Sequence, residues 1–196
     1  REGNTLTWQS TEGSAAYQVL QDGKVIATVS DTRCDLQGEG EYAVRGVSAD
    51  GIIGYISEPL DCYTHELKYM ARDFAKAEPS GYVDMTRQKN VSLVIPIEIK
   101  EEGTYSIDWH YSNGFGPITT KNGCATRLMT IDGRTTAMVF PQRGEDEWTN
   151  WGFSNKHSMH LPSGKHVVKL EFTDQTENMN GEGNYAHIDY LRLIKQ

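Results

Sequence analysis

Cysteine is scarce, three in 196 residues. Cys34, Cys62 and Cys124 have no C-x-x-C spacing, which argues against zinc ribbons and thioredoxin-type redox sites; a Cys34–Cys62 bridge and a pair of buried free thiols both stay open. Positive charge is also short. Nineteen basic residues face 27 acidic ones for a net charge of −8, with no run of Lys and Arg longer than a pair. Nothing here would displace the counterions of a phosphate backbone or an anionic bilayer, so neither nucleic acid nor membrane is an expected partner. No apolar run reaches the ~18 residues of a membrane span; the longest, 91–99, is broken by Ser92, Pro96 and Glu98. The chain starts at Arg1 without a charged-then-apolar leader, and is expected to be a mature product or an excised piece of a longer protein.

What is abundant is alternation. Tyr105, Ile107, Trp109 and Tyr111 share one face against Thr104, Ser106, Asp108 and His110, the period of a half-buried strand. Leu93, Ile95, Ile97 and Ile99 repeat it, and Pro96 within that run predicts an edge strand or a bulge, because proline cannot donate to a ladder. Asp22-Gly23 and Asp132-Gly133 each separate two strand-like runs and predict two-residue hairpins. One stretch dissents. Residues 65–74 are good helix formers with Leu67, Met70, Ala71 and Phe74 on one helical face, which predicts a helix. Elsewhere short strands and regular turns predict an all-β chain of two sandwiches, residues 1–62 and 63–196.

In the first of these, Leu36 and Tyr42 stand across Gln37-Gly38-Glu39-Gly40-Glu41, and Val47-Ser48-Ala49-Asp50-Gly51 leads to a Ser57-Glu58-Pro59 exit. This order resembles a fibronectin type III domain with its tyrosine corner. The resemblance covers residues 5–60 and lacks the usual first strand, so it implies a small, N-terminally truncated fibronectin III or immunoglobulin-like sandwich. About 60 residues is marginal for independent folding, and packing against the second domain is expected.

The second domain carries Gly81-Tyr82-Val83, the 91–99 strand, Glu102-Gly103-Thr104-Tyr105, Tyr111-Ser112-Asn113-Gly114, Asp132-Gly133, Trp148-Thr149-Asn150-Trp151, Leu161-Pro162-Ser163-Gly164-Lys165-His166 and Ile188-Asp189-Tyr190-Leu191, in that order. Together they resemble carbohydrate-binding module families 6 and 35. The resemblance implies a β-sandwich jelly roll, a carbohydrate partner, a catalytic domain covalently linked upstream, and a secreted, periplasmic or cell-surface location in a bacterium. It implies no catalysis and no cofactor. The family's structural calcium is the one metal it raises. Where members carry Glu-Ala-Glu this chain has Met70-Ala71-Arg72, and calcium wants six to eight oxygen ligands; the expectation is a lost site with the Arg72 guanidinium paired to Asp189.

Sugar recognition needs flat apolar surface for C–H faces and fixed polar groups for hydroxyls. The resemblance implies Trp148 as a stacking platform and Trp151 as a core residue. Asn113 and Phe115 form a candidate second wall, Arg143 a candidate source of positive charge beside Arg127 and Lys121, and Asn178, Asn184 and Tyr185 candidate hydroxyl clamps. His187 stands where relatives place an asparagine. Plainer readings sit beside each: tryptophans fill β cores and polar loops are solvated turns. Asn178, Asn180 and Glu182 echo a calcium loop without its closing acid. Gly181 to Ala186 matches a dinucleotide fingerprint ahead of a strand, where no helix N-terminus exists. The Glu145-Asp146-Glu147 run offers carboxylates of the kind glycoside hydrolysis uses. Three functions follow: a noncatalytic carbohydrate-binding region that targets a polysaccharide-degrading enzyme, a structural or interaction module without ligand, and a small glycoside hydrolase.

Overall fold

The computed structural model describes residues 3–117, 123–177 and 184–196. The chain divides into two compact units, 1–64 and 65–196. Both are built of β-strands, with short 3-10 turns at Ala71–Asp73 and Asp174–Thr176.

The first unit has seven strands: β1 (Thr5–Thr7), β2 (Ala16–Gln21), β3 (Lys24–Val29), β4 (Arg33–Asp35), β5 (Gly40–Val47), β6 (Ile53–Ile56) and β7 (Leu60–Cys62). β1 pairs with β4, while β3, β2, β5 and β6 form a second sheet, with β7 also on β5. Leu6 from the small sheet meets Tyr17, Val19, Tyr42 and Val44 from the larger one in a single apolar cluster. The Tyr42 phenol, 1% exposed, donates to Gly38 O at 3.0 Å and accepts from Gln37 N–H at 3.0 Å. Cys34 and Cys62 share this cluster with no disulfide bond between them.

The second unit comprises β8 (Glu66–Met70), β9 (Val83–Met85), β10 (Ser92–Ile99), β11 (Gly103–Ser112), β12 (Ala125–Ile131), β13 (Arg134–Phe140), β14 (Gly152–Phe153), β15 (His157–Leu161), β16 (Gly164–Glu171) and β17 (Ala186–Lys195). One sheet runs β10-β16-β12-β13; the other runs β14-β11-β17-β8, with β15 on β11 and β9 on β17. The chain changes sheet at most connections, the wrapping of a jelly-roll sandwich. Leu93, Ile95, Ile97, Ile99, Val168 and Leu170 of one sheet bury against Tyr105, Ile107, Trp109, Tyr111, Leu191 and Leu193 of the other. β10 is an edge strand, and Pro96 points away from the core, as the missing N–H demands. Asp22 and Asp132 adopt positive φ ahead of Gly23 and Gly133, closing both two-residue hairpins.

Residues 66–70 form a strand, not the helix that their propensities favour. Their backbone pairs with β17 from Tyr190↔Met70 to Ile194↔Glu66. Leu67 and Tyr69, two apart, reach the core, so sheet pairing and burial override local preference.

β17 carries one residue more than its neighbour. Tyr111 faces Ile188 and His110 faces Tyr190, leaving Asp189 as the extra residue of a bulge. On its other side β17 changes partner at the same point, from β9 at Ile188 to β8 at Tyr190.

Candidate functional site: a row of rings on one sheet

Along β11, residues 105, 107, 109 and 111 enter the core, so the alternate positions face out. The outer face of this sheet collects rings. His187 of β17 stacks with Tyr82 at a centroid distance of 4.0 Å and an interplanar angle of 16°, and meets the tilted ring of Trp148 at 4.3 Å and 34°. Two rings that close to one imidazole cannot share a face, so His187 lies between them. Tyr82 in turn meets Trp151 at 6.1 Å, Trp151 stacks on His110 at 5.4 Å, and His110 stacks on Tyr190 at 4.6 Å. Phe153 closes the row, 5.0 Å from His110, with the Arg192 guanidinium 3.5 Å above its centroid. Each of the seven rings from Trp148 to Phe153 is half-buried.

Carboxylates and cations border the row. Asp84 Oδ1 lies 3.9 Å from His187 Nε2, and Asp84 Oδ2 lies 3.3 Å from Lys89 Nζ, which also reaches Glu78 at 3.3 Å. Asp189 Oδ2 is 2.8 Å from His110 Nδ1. Burial lowers the His110 pKa, against the opposing pull of Asp189, and burial lowers that of His187 against Asp84. Beneath the far end, Arg192 grips Asp108 with two hydrogen bonds of 2.8 and 2.6 Å, both side chains almost fully buried. Burial also pushes the Tyr190 phenol up to about 12.

The loops behind Trp148 are held by buried and half-buried polar side chains. Asn113, 0% exposed, donates to Gly123 O at 2.8 Å and Phe140 O at 2.9 Å, and accepts from Phe115 N–H. Asn184, also 0% exposed, accepts from Thr126 N–H and donates to Thr176 O, both at 3.0 Å. The buried Arg127 guanidinium donates to Thr126 O, Met85 O and both oxygens of Asn184. Burial lowers its pKa to about 10, still charged at neutral pH. Arg143 donates from Nε to Asn150 O at 3.1 Å and lies against Gly152. Ser112 Oγ donates to Trp148 O at 2.6 Å.

Several sequence-derived assignments change. Asn113 and Asn184 brace loops, their amides satisfied inside the fold, and offer nothing to a ligand. Trp151 is not in the core; it joins the outer row, and Trp109 is the fully buried indole. Asp189 pairs with His110, not with Arg72: Arg72 follows β8 in a 3-10 turn, whereas the bulge carries Asp189 toward β11. Phe115 and Tyr185 do meet, 5.6 Å apart and tilted, both half-buried. Trp148 and His187 are brought into contact. Asn178, Lys121, Asn180 and Glu182 lie outside the described residues. Glu145, Asp146 and Glu147 are exposed. Among the described residues no three His, Cys, Asp or Glu side chains gather as a metal-ligand group. Tyr82 was missed; its position before Val83 and Met85, which alternate into the core, was the available signal.

Half-buried rings set on a sheet and bordered by polar groups have the chemistry to receive a partly apolar ligand. No protein-family profile matches the chain. A cycloisomaltooligosaccharide glucanotransferase of Niallia circulans is 28% identical over 100 residues, 51% of this chain and 10% of that protein. The chain thus spans about a tenth of that relative. Among solved structures, a Paenibacillus cycloisomaltooligosaccharide glucanotransferase complexed with cycloisomaltoheptaose is 21% identical over 63% of this chain and 17% of that one, with a TM-score of 0.47. A family 35 carbohydrate binding module from Clostridium thermocellum is 18% identical over 68% of this chain and all of that one, also with a TM-score of 0.47.

Proposed function

We propose that this chain is a noncatalytic carbohydrate-binding region of a larger secreted enzyme that acts on polysaccharides, with the second unit as the binding module and the first as a fibronectin III-like neighbour. The observation that carries the reading is the half-exposed ring row on the outer sheet face, with Tyr82 and Trp148 at the loop end. Indole and phenol faces accept pyranose C–H groups, and Asp84, Lys89 and Asp189 stand beside them for hydroxyls. Phe115 and Tyr185 extend the apolar surface. The gain for an attached enzyme is effective concentration at the polymer. The stretch shared with a cycloisomaltooligosaccharide glucanotransferase makes isomaltooligosaccharides the first ligands to try.

The test is a glycan array followed by titration calorimetry of the intact chain with isomaltooligosaccharides, beside Trp148→Ala and Tyr82→Ala. Each substitution is expected to weaken binding at least tenfold with circular dichroism unchanged. Binding that survives both substitutions refutes the reading, as does silence across the array from the intact chain and from a His187→Ala variant alike. The second reading, an interaction module without a sugar ligand, is favoured by one observation: the space between Tyr82 and Trp148 is filled by a side chain of the protein itself.

A further inference from the structure

The contents of that space are unusual for a side chain held in place. The His187 imidazole has a ring against each face, Tyr82 stacked and Trp148 tilted, and is mostly covered, its side chain 15% exposed. Yet no hydrogen bond fixes it. Nδ1 is buried without a partner, and Nε2 is 3.9 Å from the Asp84 carboxylate, beyond hydrogen-bond length. Ring packing and the nearby Asp84 carboxylate hold it, and the unmet nitrogen opposes them, because a buried donor or acceptor without a partner gives up its hydration for nothing. Rotating the side chain into water would restore that hydration.

The backbone that carries each wall is tied. The carbonyl of Trp148 is tied to Ser112 Oγ, and the backbone of the 147–148 segment presses on Gly114, where a Cβ would stand 2.5 Å from Glu147 C and 2.8 Å from Trp148 N. Tyr82 is fixed by the Glu78 N–H to Tyr82 O bond at 2.9 Å and by the pairing of Val83 with Ile188. Both walls sit on braced backbone, and the imidazole between them is held by packing, with no hydrogen bond among the described residues. An imidazole already fits the space at ordinary ring-contact distances, and both walls are aromatic faces of the kind that accept the C–H groups of a pyranose.

We infer that His187 is a built-in occupant of a two-walled sugar slot, and that a pyranose ring binds between Tyr82 and Trp148 by displacing the imidazole. This rests on the carbohydrate reading above and adds which residue sets the affinity. Entry of the sugar forfeits two ring contacts that the unliganded protein already makes, so the wild-type chain binds weakly and the slot discriminates against any ligand too thick for the gap. The neighbouring charges Asp84, Glu78 and Lys89 stay in place to meet hydroxyls as the imidazole leaves.

Two measurements test this on the intact chain with an isomaltooligosaccharide or whichever glycan the array returns. In calorimetry His187→Ala and His187→Gly are expected to bind roughly tenfold or more tightly than wild type, as removal of a competing occupant requires, and Trp148→Ala in the His187→Ala background is expected to abolish the gain. In proton NMR the His187 ring resonances of wild type are expected well upfield, shielded by two ring currents, and to move downfield as ligand saturates. Wild-type binding with no gain in either His187 variant, or with ring resonances that stay upfield at saturation, overturns the inference while leaving the carbohydrate reading intact. Absence of binding in wild type with binding in His187→Ala supports it. Absence of binding in every variant overturns both. A melting curve for each variant separates lost binding from lost fold, and His187→Asn serves if the smaller residues unfold.

Discussion

His166 and Asp132 are joined by a 2.5 Å contact from Nδ1 to Oδ2, while His166 Nε2 lies 2.9 Å from the carbonyl of Pro162. A carbonyl and a carboxylate both accept, so both ring nitrogens must donate and the imidazole is doubly protonated. The bond to Asp132 accordingly raises the His166 pKa above 6.5. The ion pair ties the β12–β13 turn to the turn before β16. Because the folded pKa is raised, its stabilisation is complete below the unfolded value and is lost as pH rises through the folded one. His166→Gln should cost about 1 kcal/mol at pH 5.5, the value being reduced because Asp132 is 41% exposed. At pH 8.5 it should cost less. Urea melts at the two pH values measure the difference.

His110 and His187 act in the opposite sense. Burial lowers both pKa values, so their contribution is present above 6.5 and is lost as pH falls through the lowered folded values. In an NMR titration of the ring protons, His166 should titrate above 6.5 and His110 and His187 below it. Inversion of that order would contradict the packing described here.

The Asp108–Arg192 pair is the costliest to break from one side. Both groups are buried, at 1% and 4% exposure, so Asp108→Asn leaves a guanidinium without its counter-charge. The expected loss is about 3–5 kcal/mol. Replacing both by apolar residues of similar volume should lose much less, and a double-mutant denaturation cycle shows the difference.

Two glycines near the ring row should respond differently to the same added methyl. At Gly152 a Cβ would collide with the Arg143 guanidinium, the movable end of a long side chain, so Gly152→Ala should displace Arg143 from Asn150 at small cost. At Gly114 the obstacle is backbone. Gly114→Ala should therefore cost about 1–3 kcal/mol and shift the Trp148 loop. Thermal melts with Trp fluorescence distinguish the two.

Arg127→Met should be at least as damaging as Gly114→Ala. It removes the donors that hold the carbonyls of Met85, Thr126 and Asn184, each left short of a partner at about 1–3 kcal/mol. Hydrogen exchange should show residues 184–187 opening first, since Asn184 is the residue that loses most.

The strands with clean alternation were legible before any coordinates, Tyr105 to Tyr111 and Leu93 to Ile99 most plainly, because one face of each is wholly core. The 66–70 strand was hidden by residues that favour helix in isolation; only its partner on β17 decides the matter. The ring row was half legible. Trp148, Trp151 and His187 fall in stretches that the resemblance picks out, and Tyr82 alternates with Val83 and Met85, but no spacing records that these four rings meet. Asn113, Asn184 and Arg127 look like surface chemistry in a sequence. Their burial follows from carbonyls that turn inward at the loop end, a property of the folded backbone alone.

The extra residue at Asp189 governs which way everything after it points. With it, His187 and Tyr190 look outward together although they are three apart, and Leu191 and Leu193 still reach the interior. Straightening the kink with Asp189 kept in the pleat would exchange the two, sending leucines to solvent and a phenol to the oil, whereas deleting Asp189 would leave the alternation as it stands. Register at one kink therefore fixes both what the sandwich hides and what it offers to the outside world, so neither can drift in evolution without the other.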